Sequence, residues 1–275
     1  MKKFDSILIY AAFAAFAGGL AACDNIADDD RLIPVPEPEV KRNVLIQEFT
    51  GVRCPNCPQG AAAVHSILDY YAKGSVVAVS LHPSGSPFTR PLNGLNLTSA
   101  PATAYFNHYH PSAFPSAIID GAAPDANTAA WDGMVYAELE KTTPMDISAS
   151  TSFDASDRKL TVEYDVRFKE IMTSAANINV WLTESGIIGP QLNNTQTVPD
   201  YEHNHVLRAS LTGDWGESLG ESFLYGEELN GKAEIVLEDA WVADNCSVVI
   251  FAQNPSSKYV YQVIEISLKA DDENK

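Results

Sequence analysis

Short apolar runs separated by polar, proline- and glycine-rich stretches set the pattern of residues 43–142 and predict strands and helices in alternation. Asn43–Phe49 reads as a buried strand, and Ala61, Val64, Leu68 and Tyr71 then recur at helical spacing, with Lys73-Gly74 as a stop. Ser75–Leu81 is a second buried strand. A strand, a helix and a strand this close in sequence imply a right-handed parallel crossover. His82–Thr98 is rich in Pro, Gly, Ser and Asn and reads as loop, and Ala100–Tyr109 as a short helix with Tyr105 and Phe106 turned inward. Ala113–Gly121 is a strand whose entrance carries Pro115. Asn127 or Thr128 can cap a last helix in which Trp131, Val135 and Leu139 share one face.

At Thr142-Thr143-Pro144 the period changes to two. In Lys159–Phe168, Leu160, Val162, Tyr164, Val166 and Phe168 point one way and the polar residues the other. Similar strands are expected at Asp146–Phe153, Asn177–Glu184, His205–Thr212, Lys232–Glu238, Ser247–Gln253 and Tyr259–Leu268. About seven short strands joined by Gly, Asn and Pro suggest an immunoglobulin-like β-sandwich over 144–270. The 275-residue length agrees with two domains, 43–143 and 144–270.

The first residues read differently. Lys2-Lys3 precedes an apolar run from Ile7 to Leu20 that is short and Ala/Gly-rich for a membrane span, and Leu20-Ala21-Ala22-Cys23 closes it. A lone membrane anchor is the alternative reading. Residues 23–42 begin with acids around Asp28-Asp29-Asp30 and continue through Pro34, Pro36 and Pro38. Such a segment cannot pack a core and makes a semi-rigid tether spanning at most roughly 60 Å, at about 3.1 Å per residue. An acidic tail, 271–275, ends the chain. The formal charge of −18 argues against nucleic acid or anionic headgroups as electrostatic partners.

Chemistry concentrates at Cys54-Pro55-Asn56-Cys57, directly after the first strand. Two thiols at this spacing can close a small disulfide, and a following helix aims its positive end at the first sulfur, favouring thiolate. A structural clip is the plainer reading of the same residues. Zinc would need two of His65, His82, His108 and His110 to join the cysteines, with no second spaced pair in support. His203 and His205 form an H-x-H pair that loop polarity or packing explains better than metal does, and Arg208 can pair with an acid. Cys246, in strand context, reads as an inert small hydrophobe. No Ser-His-Asp order, phosphate loop or paired-carboxylate site stands out, and no cofactor or resident metal is implied.

The order strand, Cys-Pro-x-Cys, helix, strand, helix, Pro-led strand, helix resembles the thioredoxin superfamily, and its motif is similar to that of periplasmic Dsb-type oxidoreductases. The resemblance implies an α/β thioredoxin-like domain followed by the all-β immunoglobulin-like sandwich. It gives Cys54 the role of the more exposed nucleophile, aided by the helix terminus and by Arg53, and Cys57 that of the resolving thiol. Glu48, six residues before Cys54, matches the family's buried acid that relays a proton for Cys57. Phe114-Pro115 matches the cis-proline facing the disulfide. Arg53 in place of the usual Trp, Pro58 after Cys57, and the short Gly121–Asn127 stretch depart from the pattern.

The N-terminus resembles a bacterial lipoprotein signal, which implies removal of residues 1–22 and lipidation of Cys23. The acidic run after it resembles the export signal of surface lipoproteins in Bacteroidetes. Taken with Glu-Phe-Thr-Gly before Arg53, Phe-Pro-Ser at 114–116 and His203-Asn204-His205-Val206-Leu207-Arg208, the whole resembles the outer membrane protein 28-related lipoproteins of that group. That implies an outer membrane lipoprotein on the periplasmic face or the cell surface. Its expected activity is thiol-disulfide exchange on the thiols or disulfides of exported proteins. The alternative is a non-enzymatic surface-binding or adhesin-like lipoprotein with a structural Cys54–Cys57 disulfide.

Overall fold

β1 (Val44–Phe49) is buried at every residue, and the site is built from its carboxyl end. A computed structural model describes residues 41–268. The expected leader 1–22, the lipidated Cys23, the tether up to residue 40 and the tail 271–275 lie outside the described residues.

β1 pairs in parallel with β2 (Val76–Leu81), from Val44↔Val76 to Phe49↔Leu81. Between them runs α1 (Cys57–Tyr70). Pro58 sits in its first turn, where a missing N–H costs nothing because that turn has no intrahelical acceptor to serve. α2 (Ala100–Tyr109) begins where its periodicity says it should. The Phe114-Pro115 bond is cis and leads into β3 (Ser116–Ile119), which pairs antiparallel with the other side of β1. α3 (Trp131–Leu139) follows a 3-10 turn at Thr128–Ala130.

The period-two segments become strands within a few residues of expectation. These are β4 (Met145–Asp154), β5 (Lys159–Phe168), β6 (Ala176–Glu184), β9 (Val206–Ser210), β11 (Glu228–Val236), β12 (Cys246–Gln253) and β13 (Val260–Ser267). Three strands were not expected: β7 (Ile187–Asn193) and β8 (Gln196–His203), which form a hairpin, and the short β10 (Glu217–Gly220). Pro190 and the sparse apolar content of 194–203 hide the hairpin, although Asn194 takes the left-handed φ of 51° that a tight turn needs.

An eight-stranded sheet runs β13–β12–β6–β9–β2–β1–β3, with β10 added beside β6. The boundary expected near residues 143 and 144 falls between α3 and β4, and this sheet draws strands from both sides of it. The join is narrow, a single parallel pair, Ser80↔Val206. The sheet also curls: Val260 N–H reaches the Asp120 carbonyl at 3.2 Å, bringing the β13 edge back to the end of β3. Arg42 fastens this closure, donating to the carbonyls of Val260 (2.6 Å) and Tyr261 (2.9 Å) while it pairs with Asp120 at 2.7 Å.

The curl encloses a core to which both halves contribute. Leu45, Phe49 and Val79 meet Trp181, Val249 and Phe251 there, and Tyr105 of α2 packs edge-on against Trp181 at 5.0 Å. On the outer face the halves are covered differently. α1 and α3 cover β1–β3 through Val64, Ile67, Trp131 and Val135. A three-stranded sheet, β11–β5–β4, covers β6 and β12. Alternation explains how one strand serves two cores: in β12, Val248 and Ile250 face the small sheet while Val249 and Phe251 face the curl. The fold is therefore mixed α/β and dominated by β-sheet.

Candidate functional site

The loop after β1 closes tightly. Cys54 N–H donates to the Gly51 carbonyl at 2.9 Å, and Arg53 N–H donates to the Phe88 carbonyl at 2.8 Å. Gly51 has to be glycine here, since a Cβ would collide with the Phe88 backbone. Cys54 and Cys57 form a disulfide with Cα atoms 5.3 Å apart, and Cys57 is the first residue of α1. The Arg53 guanidinium is committed to the carbonyls of Arg90 (3.2 Å) and Pro91 (2.7 Å), where it serves the loop instead of the sulfur.

Cys54 was expected to be the exposed member of the pair, and here the structure corrects the sequence. Cys54 is 1% exposed and Cys57 2%. Both pack in the curl's core with Phe49 and Phe114, and the β7–β8 hairpin, invisible in the sequence pattern, crosses their loop. Leu192 N–H donates to the Val52 carbonyl (2.8 Å) and Asn194 N–H to the Pro55 carbonyl (2.9 Å). The Gln191 amide donates to the carbonyls of Gly51 (3.2 Å) and Cys54 (3.1 Å). Four hydrogen bonds thus strap a segment nearly 140 residues away in sequence across the disulfide loop.

Glu48 and Pro115 are brought to the first turns of α1. A Cβ on Gly60 would collide with Glu48 Oε1 and with Pro115 Cβ, so the glycine lets helix, acid and cis-proline approach one another. Phe114 stacks on Phe49 at 6.0 Å and packs on Phe88 at 5.6 Å, which holds the proline's approach. Glu48 is 3% exposed and its Oε1 has no hydrogen-bond partner. Burial pushes its carboxyl up to about 8, so at neutral pH it mostly keeps its proton.

Beside this group lies a cleft of about 590 Å³ at the carboxyl ends of β1 and β2. Glu48, Cys57 and Ala61 line one side; Gln191, Tyr201 and His203, from the hairpin, line the other. His82 and His203 are buried with rings 6.3 Å apart, and burial first, then mutual repulsion for His82, lowers them to about 3 and about 4. Both are neutral imidazoles at physiological pH. Nε2 of His203 has no partner.

Of the other singled-out residues, His65 and His205 also line the cleft, and the rest scatter. His65 pairs with Asp69 on the exposed face of α1 (3.4 Å), and His108 packs on Trp215. Among the described residues no three His, Cys, Asp or Glu side chains gather in a metal-binding group. Arg208 does pair with an acid, Glu184, at 2.8 Å. Cys246 is 1% exposed, its thiol donates to the Val242 carbonyl, and burial, then the Glu184 charge, raises it to about 12, which fits an inert thiol. Among the described residues no helix is long and apolar enough to cross a membrane.

A β-dominated α/β fold with a strapped Cys-Pro-Asn-Cys disulfide at a helix start defines the structural class. The chain belongs to the family described as outer membrane protein Omp28, whose model matches residues 102–272. The Cys54–Cys57 segment precedes the matched region. Among solved structures, HBP35 of Porphyromonas gingivalis superposes with a TM-score of 0.66 at 16% identity, over 85% of this chain and 77% of that one, and so shares its fold. A domain of the outer membrane lipoprotein Omp28 from the same organism matches at 21% identity over 46% of this chain and 88% of the domain, with a TM-score of 0.32. No curated protein matches the sequence.

Proposed function

We propose that this chain is an outer membrane lipoprotein, anchored through Cys23 and held off the membrane by residues 23–42, that exchanges disulfides with exported proteins through Cys54 and Cys57. Residues 43–143 then act as a thioredoxin-like module and residues 144–270 as an immunoglobulin-like sandwich that docks partners or a second copy. The β2–β1–β3 order, the helix leaving Cys57 and the cis bond at Pro115 support the first assignment; the packing of β11–β5–β4 on β6 and β12 supports the second.

The observation that carries the proposal is Glu48. A core carboxyl with one oxygen unanswered lowers stability, and a static clip has no use for it. An exchanging pair does. Cys54 thiolate attacks a client disulfide sulfur, forming a mixed disulfide and releasing one client thiolate. Cys57 gives its proton to the ionised fraction of Glu48 and attacks the Cys54 sulfur, which expels the second client thiolate and leaves the protein oxidised. A dithiol donor of the envelope restores the reduced pair, and the reverse sequence oxidises a client dithiol. Either direction requires the β7–β8 strap to lift from Cys54.

A second reading, a structural disulfide on a surface-binding lipoprotein, is favoured by the near-complete burial of both cysteines. Insulin reduction in the presence of dithiothreitol separates the two. The exchange reading expects Cys54→Ser to lose at least tenfold of the accelerated rate, whereas equal rates for wild type and variant would leave the clip.

A further inference from the structure

The cleft beside α1 shares Glu48 and Cys57 with the exchange steps above but extends beyond them, and it carries two unanswered polar groups. Glu48, whose Oε1 has no partner, lines its floor, and His203, whose Nε2 has none, lines its hairpin side. Both residues are at least nine-tenths buried. Buried polar atoms are rarely left without a partner, so a pair of them on one cleft marks a place where a ligand's polar groups belong. The volume, about 590 Å³, lies within the usual range of roughly 300–1,000 Å³ for ligand sites. Its position at the carboxyl ends of parallel strands is where open α/β sheets place ligands.

The lining chooses the chemistry. Glu48, His82 and His203 are neutral at physiological pH, so the floor offers a hydrogen-bonding acid and two imidazoles and no fixed charge. His203 Nε2, buried and unanswered on a neutral imidazole, can accept a hydrogen bond. Pro58, Ala61 and Ala62 supply an apolar wall along α1, and Glu202 stands at the rim of a chain whose net charge is −18. Burying a ligand's charge here would be costly, and a negative one would also be repelled. A donor and an acceptor beside an apolar wall suit an extended backbone with small side chains.

We propose that this cleft binds a short uncharged peptide segment of a client protein, presenting an N–H to His203 and a polar group to Glu48, beside the disulfide. The proposal names the client class of the exchange reading and rests on that reading for its purpose, while the binding itself needs no sulfur chemistry.

The test uses the oxidised folded chain and cysteine-free peptides, so no exchange can occur and its outcome is independent of the redox assay. Acetyl-Ala-Val-Ser-Ala-amide, and analogues carrying Asp or Lys in place of Ser, are titrated and followed by the His203 and His65 imidazole resonances. The neutral peptide is expected to give saturable shifts. The Asp analogue should bind at least tenfold more weakly, and Ala61→Trp, which fills the cleft from the helix side, should abolish the shifts. His203→Phe keeps the ring and removes the acceptor, and is expected to weaken binding about tenfold. Absent shifts with every peptide, equal affinity for neutral and Asp peptides, or binding that survives Ala61→Trp in a folded variant would each overturn the proposal.

Discussion

The two halves of the curled sheet each bury a glutamate, on β1 and β6 in one cross-strand row, and treat it in opposite ways. On the side covered by the three-stranded sheet, Glu184 accepts from Arg208 Nε at 2.8 Å and from Val242 N–H at 2.9 Å, so both of its oxygens are answered. On the helix-covered side, Glu48 is equally buried, and its Oε1 is answered by nothing. The same fold can therefore satisfy an acid where the acid is structural. The unanswered acid beside the disulfide is the feature on which the exchange proposal rests, because proteins keep such costs mainly where chemistry needs them.

This contrast can be broken at either end. The largest effect is expected from Arg208→Met, which strands Glu184 in the core. Breaking a buried pair by removing one partner typically costs about 3–5 kcal/mol, measurable in urea unfolding, and Glu184→Gln in the same chain should return part of it. If the single variant unfolds like wild type, Glu184 is not the structural member of the comparison.

Glu48→Gln should act in the opposite direction. Between pH 4.5 and about 8 the folded chain keeps a proton on Glu48 that the unfolded chain has released. Stability from this group therefore falls as pH rises through that window and levels off above it, with a cost on the order of 3 kcal/mol at pH 7. The glutamine variant should be more stable than wild type at pH 7 by about that amount, and the falling limb should flatten. A variant less stable than wild type would mean that the carboxyl has a partner.

A smaller effect separates exchange from clip. Closing a loop this short stabilises by about 2 kcal/mol in the chain-entropy picture. Exchange requires the reduced state to be nearly as stable as the oxidised one, so reduction should lower unfolding stability by less than that. A loss of 2 kcal/mol or more favours the clip.

The sequence exposes these two halves unequally. The strands and α2 follow from periodicity, because each carries a clean apolar face: Leu160 to Phe168 on β5, and Val44 to Phe49 buried throughout β1. Cys54 and Cys57 are legible through their spacing, and Glu48 and Pro115 only through the resemblance to the thioredoxin superfamily. The β7–β8 strap is not. Its strands are polar and largely exposed at 196–202, its second half lacks alternation, and what it does depends on backbone hydrogen bonds, which carry no side-chain signature. The burial of Cys54 was hidden as well. So was the shared sheet: one Ser80↔Val206 pair joins segments that read as separate domains, and nothing in either local pattern announces it.

The most direct test of Glu48's role is the midpoint potential of the Cys54–Cys57 pair in dithiothreitol and glutathione buffers across pH 6–9, for wild type and Glu48→Gln. An exchanging pair should lie above about −300 mV, and its pH dependence near pH 8 should change when the carboxyl is removed. A potential below that value, with the same pH dependence in both proteins, would contradict the account and make the disulfide a structural one.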